Sequence, residues 1–365
     1  MDLVIQKTMA LLSLIIIGLL LQKKVGENVK GIKILILSVA LPATIFVALL
    51  KIELTFDLLL LPVIALGFNL IMLVMAHFLL PIMGLPQHSP THRTLLMLLP
   101  SLAPGLSCFP FIAEFAGDDV LALAALADVG NKFFVLIFLY ALALHWYTKM
   151  NASKESNSKR GQFKKLVLTM LNEPINLVIV LAIVLLSLGV TLSSFPVFLE
   201  NTILRLSSLM MPLILLFIGL AVKIKWKELP LILSLLGWRS GITFCLSAAV
   251  IYFMPQLSLP MMLLVIVFPQ SAVSFWPFAH MTALDSHQEE ESKKTFDINL
   301  ALSVLACSLP FSTLIVLAVF TFDQVFVSPF YLFGLGVVVL FFSALLFVFK
   351  GFAKIKVKLA SKGLW

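Results

Sequence analysis

The chain has 365 residues, 61% of them hydrophobic and 12% charged, with a formal net charge of +8 and a mean hydropathy of +1.10. Soluble domains carry roughly 45–50% apolar and about 25% charged residues, so composition excludes an ordinary water-soluble domain and points to a bilayer. The apolar runs are continuous and do not alternate, which excludes a β-barrel and leaves membrane helices of about 20 residues each.

Eleven spans are predicted in chain order, at 3–22, 32–50, 58–83, 94–115, 119–147, 172–192, 198–222, 230–254, 260–280, 296–320 and 327–349. No cleavable leader is expected, because Asp2 and Lys7 precede the first apolar run and no small-residue cleavage site follows it. Cys108, Cys245 and Cys307 fall inside apolar segments without a CxxC spacing, which argues against a disulfide framework and a metal site. With the N-terminus outside, all of the 26 basic residues except Lys7, Lys51, Lys132, Arg205 and Arg239 fall on inner segments. The outer loops carry mainly acids, among them Glu53, Asp57, Asp118, Asp119 and Asp323. This bias predicts an N-out, C-in topology and accounts for the positive charge without nucleic acid.

The polar, basic stretch 150–163 reads as a flexible cytoplasmic linker. It separates a five-helix unit at 1–149 from a second at 164–321, and 322–365 adds one more helix and a basic tail. Five is odd, so the second unit starts from the opposite side of the membrane, and two related units would form an inverted repeat. Their matching places are Pro42 with Pro212 in the second helix of each unit, and Pro100, Pro104, Gly105 and Pro110 with Pro269 and Pro277 in the fourth. In the fifth, Asp128, Asn131 and Lys132 match Asp297 and Asn299.

The fourth and ninth spans carry the chemistry. Proline removes a backbone donor and clashes with the preceding turn, so neither LLPSLAPGLSCFPFIAEF nor VFPQSAVSFWPFAH can be one regular helix. The backbone groups so freed must be buried in protein or face a wet cavity, and a matched pair of broken helices points to a midplane binding site. Pro104, Ser107, Pro110, Pro269 and Gln270 are expected to shape that site and to bind substrate. Asn131 and Arg239 are expected to contact substrate. Arg239 is about ten residues into its span, roughly 15 Å deep, where it either binds an anion or holds the bundle together by pairing. Asp128, Asn131 and Lys132 share one helix face, and intramembrane ionisable groups are functional candidates. Asp128 and Lys132 read as an ion-coupling site or a structural pair, and Asp297 as a coupling carboxylate or a helix-start residue. No HExxH, GxSxG, Walker-type or paired DxxxD motif is present, so protease, hydrolase, ATP-driven and prenyl-diphosphate chemistry find no support. No enzyme activity, metal or cofactor is expected, only coupling to H+ or Na+.

At this point the chain resembles the auxin efflux carrier family of permeases. LLSLIIIGLLLQKKVGENVKGIKILILSVALPATIF is similar to the family's first two helices, and LNEPINLVIVLAIVLLSLGV followed by LMMPLILLFIGLAVK to its sixth and seventh. FPQSAVSFWPFAHMTALD resembles the ninth, and the likeness covers about residues 5–320. It implies ten helices in two inverted halves, with helices four and nine crossing at the substrate site and Pro269 and Gln270 at the crossing. Where the family carries an asparagine and a glycine on helix four, this chain has Ala103 and Cys108, with Pro110 retained. The expectation is a secondary transporter exporting a small, carboxylate-like solute through a bacterial inner membrane, with room for a homodimer. A sodium-coupled importer and a sensor or scaffold without flux are the alternatives.

Overall fold

The computed structural model describes residues 3–25, 29–51, 60–150, 174–221, 229–285 and 295–360; the predicted linker, Met150 apart, lies outside them. Every regular element among the described residues is helical. In chain order, α1 (Leu3–Val25) precedes α2 (Val29–Leu35), which passes through a π turn at Ile36–Ala40 into α3 (Leu41–Leu49). Pro42 sits in the first turn of α3, where its missing N–H is tolerated because the π turn has already shifted the hydrogen-bond register. Next come α4 (Leu60–Ile82), α5 (Pro90–Leu98), α6 (Pro104–Ser107), α7 (Phe109–Phe115) and α8 (Asp118–Phe133). A π turn at Phe134–Phe138 leads into α9 (Leu139–Met150).

The remainder comprises α10 (Pro174–Ser187), α11 (Val197–Ser208), α12 (Met210–Ala221), α13 (Leu229–Phe253), α14 (Leu259–Val267) and α15 (Phe275–Asp285). The last three are α16 (Ile298–Thr321), the short α17 (Asp323–Phe326) and α18 (Pro329–Ala360). Starts are set locally by caps. Ser89 Oγ accepts from His92 N at 3.1 Å with Pro90 at the first position of α5, and Asp297 Oδ1 accepts from Leu300 N at 3.0 Å at the start of α16.

Seven helical stretches among the described residues are long and apolar enough to cross a membrane, and α10 and the first half of α18 are shorter apolar helices. Their outward faces are apolar: Ile16 and Leu20 on α1, Val63, Ile71 and Phe78 on α4, Val180 and Val184 on α10, and Phe330 and Phe341 on α18 are all exposed. Large contiguous apolar surface of this kind is unfavourable in water and suited to lipid. The molecule is an α-helical, multi-pass integral membrane protein.

The helices associate in two groups. In one, α1 packs along α12, and α3 packs on α10 and α11. In the other, α4 packs on α5 and α8, α13 on α14, and α15 on α5, α9 and α16. The groups meet chiefly where α3 lies against α8. Within the first, α1 and α12 touch backbone to backbone at Gly18 and Gly219, where a Cβ on either residue would overlap the other helix. Small residues at such a crossing let van der Waals packing act where no hydrophobic drive exists between helices in lipid. In the second, α18 covers α13. Gly237 and Gly241 face Ser343, Leu340 and Gly336, and Ser234 Oγ donates to Ser343 O at 2.6 Å.

Gly219→Leu is expected to overpack the α1–α12 crossing at a cost of about 1–3 kcal/mol, read as a lowered Tm of the purified protein in detergent. An unchanged Tm would mean that the two helices are not held at this point.

Candidate functional site: crossed broken helices

The two proline-rich segments fold as predicted breaks. α5 ends at Leu98, Ser101–Ala103 is unwound, and the chain restarts at Pro104. α14 ends at Val267, residues 271–274 are unwound, and α15 begins at Phe275. The two segments enter from opposite ends of the bundle. α5 starts beside the start of α16, where Thr91 Oγ1 reaches Asp297 Oδ2 at 3.4 Å, and Phe115 at the end of α7 stacks on Phe320 near the end of α16. The other segment runs the reverse way: Asp285 at the end of α15 accepts from Phe296 N at 3.0 Å, just ahead of α16.

At the middle, the unwound stretches pair with each other. Ala103 N donates to Ala272 O at 2.8 Å, Ala272 N donates to Ser107 Oγ at 2.8 Å, and Ser274 N donates to Ser101 Oγ at 3.1 Å. Ser107 and Ser101 in turn donate to Ala103 O at 2.9 Å and Leu98 O at 2.7 Å. Several amides and carbonyls of the unwound stretches are thus satisfied by the opposite break and by hydroxyls within the breaks, as backbone in hydrocarbon demands. Ser101, Ser271 and Ser274 were not singled out by sequence. Their signal is a serine placed within a few residues of each break-forming proline.

A second ring of side chains fixes the broken ends. Arg239, 2% exposed on α13, donates from Nε to Leu99 O at 2.9 Å and from a terminal nitrogen to Ser101 O at 3.4 Å. Its guanidinium caps the C-terminal, partially negative end of α5. Gln270 is equally occupied: Oε1 accepts from Ser240 Oγ at 2.7 Å, and Nε2 donates to Ser240 O at 3.1 Å and Thr243 Oγ1 at 2.6 Å. It ties the second break to α13.

The α8 motif DVGNK works as a unit. Asn131 Nδ2 donates to Leu102 O in the first break at 3.0 Å and to Asp128 Oδ1 at 2.8 Å, while its Oδ1 accepts from Asn69 Nδ2 on α4 at 3.0 Å. Gly130 permits this, because a Cβ there would collide with the backbone of Pro62 on α4. Lys132 Nζ lies 3.7 Å from Asp128 Oδ2 and donates to Asn176 Oδ1 on α10 at 3.1 Å. The pair is buried, with Asp128 3% and Lys132 6% exposed.

Two cavities flank the crossing, of about 170 Å³ and about 300 Å³, and both are lined by Lys33, Ala103, Leu106 and Phe275. Pro104, Asp128, Asn131 and Lys132 line the smaller together with Ser274 and Trp276. Phe217 and Ile218 of α12 close the larger, so the space lies between the two helix groups.

Of the residues expected to contact substrate, Pro104 and Asn131 line this space. Ser107, Pro110, Pro269, Gln270 and Arg239 are buried in the framework around it and line neither cavity. Asp297 lies away from the crossing: it caps α16, its own N–H donates to Thr94 Oγ1 at 2.8 Å, and it packs on the far end of α5. Asn299 is exposed at the helix start, so the expected match between DVGNK and FDIN does not extend to side-chain placement. Lys33 was assigned by sequence to the inner basic loop, yet it borders both cavities.

Arg239→Met is expected to lower the stability of the ligand-free protein by about 3 kcal/mol, because it leaves the last carbonyls of α5 without a donor. A variant with an unchanged Tm that merely binds an anion less well would show that the guanidinium serves a ligand. Neither a protein-family model nor a curated protein matches this chain.

Proposed function

We propose that this protein is a secondary active transporter that moves a small anionic organic solute out of the cell by alternating access. One observation carries the reading: two interrupted helices, entering from opposite ends, pair their unwound backbones in the middle of a membrane bundle and beside two cavities. Irregular backbone at that depth is tolerated only where protein or a wet cavity meets it, and opposed half-helices are the usual frame of a transporter's midplane site. In this reading residues 1–149 and 164–321 are inverted five-helix repeats, all eleven segments cross a bacterial inner membrane, and the N-terminus lies outside. The resemblance to auxin efflux carriers rests on the order of the helix motifs and agrees with the crossing of the fourth and ninth spans.

The coupling ion in this reading is a proton on Asp128. Its carboxyl borders the smaller cavity, and its partner Lys132 is shared with Asn176 across the boundary between the helix groups. A charged Asp128 and Asn176 together hold the Lys132 ammonium, and neutralising Asp128 leaves Asn176 holding it without a counterion. The charge state of one carboxyl is thereby linked to a contact between groups that must shift for access to alternate. Sodium is disfavoured because the carbonyls at the C-terminal end of α5, where a half-helix would hold a cation, already accept from Arg239.

Reconstituted protein should catalyse saturable flux of small carboxylates under an imposed pH gradient, unchanged when sodium is replaced by choline. Asp128→Asn, which keeps an acceptor for Asn131, should abolish the gradient-driven flux while leaving the Tm within a few degrees. Sodium-dependent flux in the wild type would turn the reading towards an importer. A variant that unfolds would assign Asp128 and Lys132 to structure.

A further inference from the structure

Among the described residues, the charged side chains lining the two cavities are Asp128, Lys132 and Lys33. Asp128 and Lys132 offset each other. Lys33 has no acidic partner among the described residues, so the space between the helix groups carries one surplus positive charge. The ammonium lies instead 4.6 Å from the centroid of the Phe275 ring, a cation–π contact that answers only part of the demand of a partly dehydrated charge. Phe275 opens α15, and it lines the smaller cavity with Ser274 and Trp276. The positive end of that half-helix and the Lys33 ammonium therefore bear on the same space.

The rest of the lining is apolar or aromatic. Leu37, Leu106 and Trp276 border the smaller cavity, and Phe217 and Leu309 the larger. Such a site suits a small compound with an apolar body and a single negative charge. A second charge on the ligand would find no counterion within the described lining.

We propose that Lys33 is the residue that selects the ligand: its ammonium leaves the Phe275 ring to bind the carboxylate of a small monocarboxylate, whose apolar body then lies against Phe275 and Trp276. The proposal rests on the transporter reading above and adds to it the ligand's charge and the residue that recognises it. Lys33 stands on α2 and Phe275 on α15, so the bound carboxylate bridges the two helix groups, and the site is complete only while they face each other.

The test uses full-length protein in proteoliposomes on a solid-supported membrane, with benzoate as the probe and its neutral isostere benzamide as the control. Wild-type protein should give a saturable current with benzoate and none with benzamide. In Lys33→Gln the half-saturating benzoate concentration should rise roughly tenfold or more, and Lys33→Arg should restore it to within about threefold. Unchanged half-saturation in Lys33→Gln overturns the role of Lys33 and leaves the transporter reading intact. If wild-type protein gives no current and no thermal shift with acetate, butyrate or benzoate, the transporter reading falls and the Lys33 proposal falls with it.

Discussion

The backbone pairing between the two breaks is the constraint on which the rest of this molecule depends. Several kcal/mol attach to each amide or carbonyl left bare in hydrocarbon, and prolines at 100, 104 and 269 guarantee bare groups. Ala103, Ala272 and Ser274 resolve this by donating across the crossing, so each irregular segment is tolerable only because the other is present. The surrounding polar residues follow from the same requirement: Arg239 on α13 and Asn131 on α8 hold the first break from neighbouring helices, and Gln270, within the second break, ties it to α13.

Around this centre the division of the bundle acquires meaning. The helices that carry the breaks and the DVGNK motif form one group, and α1–α3 with α10–α12 form a wall against which it rests. The wall is tightly knit, with glycines meeting at the α1–α12 crossing and Thr44 bonded to Ser207 between α3 and α11. Between wall and core, the polar links among the described residues include Lys51 to Asp118, Lys132 to Asn176, Thr8 to Thr321 at 3.0 Å, and the Lys33 ammonium on Phe275. An interface of mostly apolar contact with a few exchangeable polar links has little directional resistance to sliding, whereas the interior of each group is locked by interdigitated side chains.

Much of this was legible in the sequence because membrane physics is written in coarse terms. Long apolar runs gave the helices, and prolines at matched ordinal positions gave the breaks. The i, i+3, i+4 spacing of Asp128, Asn131 and Lys132 gave one polar face. What was not legible depended on partners distant along the chain. Arg239 reads as an anion binder or half of an ion pair, because nothing in the sequence says that its acceptors are the main-chain carbonyls of Leu99 and Ser101, about 140 positions away. Gln270 looks available until Ser240 and Thr243 are brought beside it. Lys33 was hidden by the rule that found the topology, since counting a lysine towards a basic loop discards the question of where its side chain goes. The π turns at Ile36–Ala40 and Phe134–Phe138 left no compositional mark.

The seam between α13 and α18 has a mechanical consequence. Ser234, Gly237 and Gly241 bind α18 closely to the helix that carries Arg239. At 32 residues, α18 is about 48 Å long, and its apolar part, Pro329–Leu345, accounts for about 26 Å of that. In the proposed transport cycle, a displacement of the crossing against the wall would carry the apolar part of α18 with it. Under that proposal the thickness and fluidity of the surrounding lipid would enter the energetics of the movement, and the bilayer would act on it as more than a solvent.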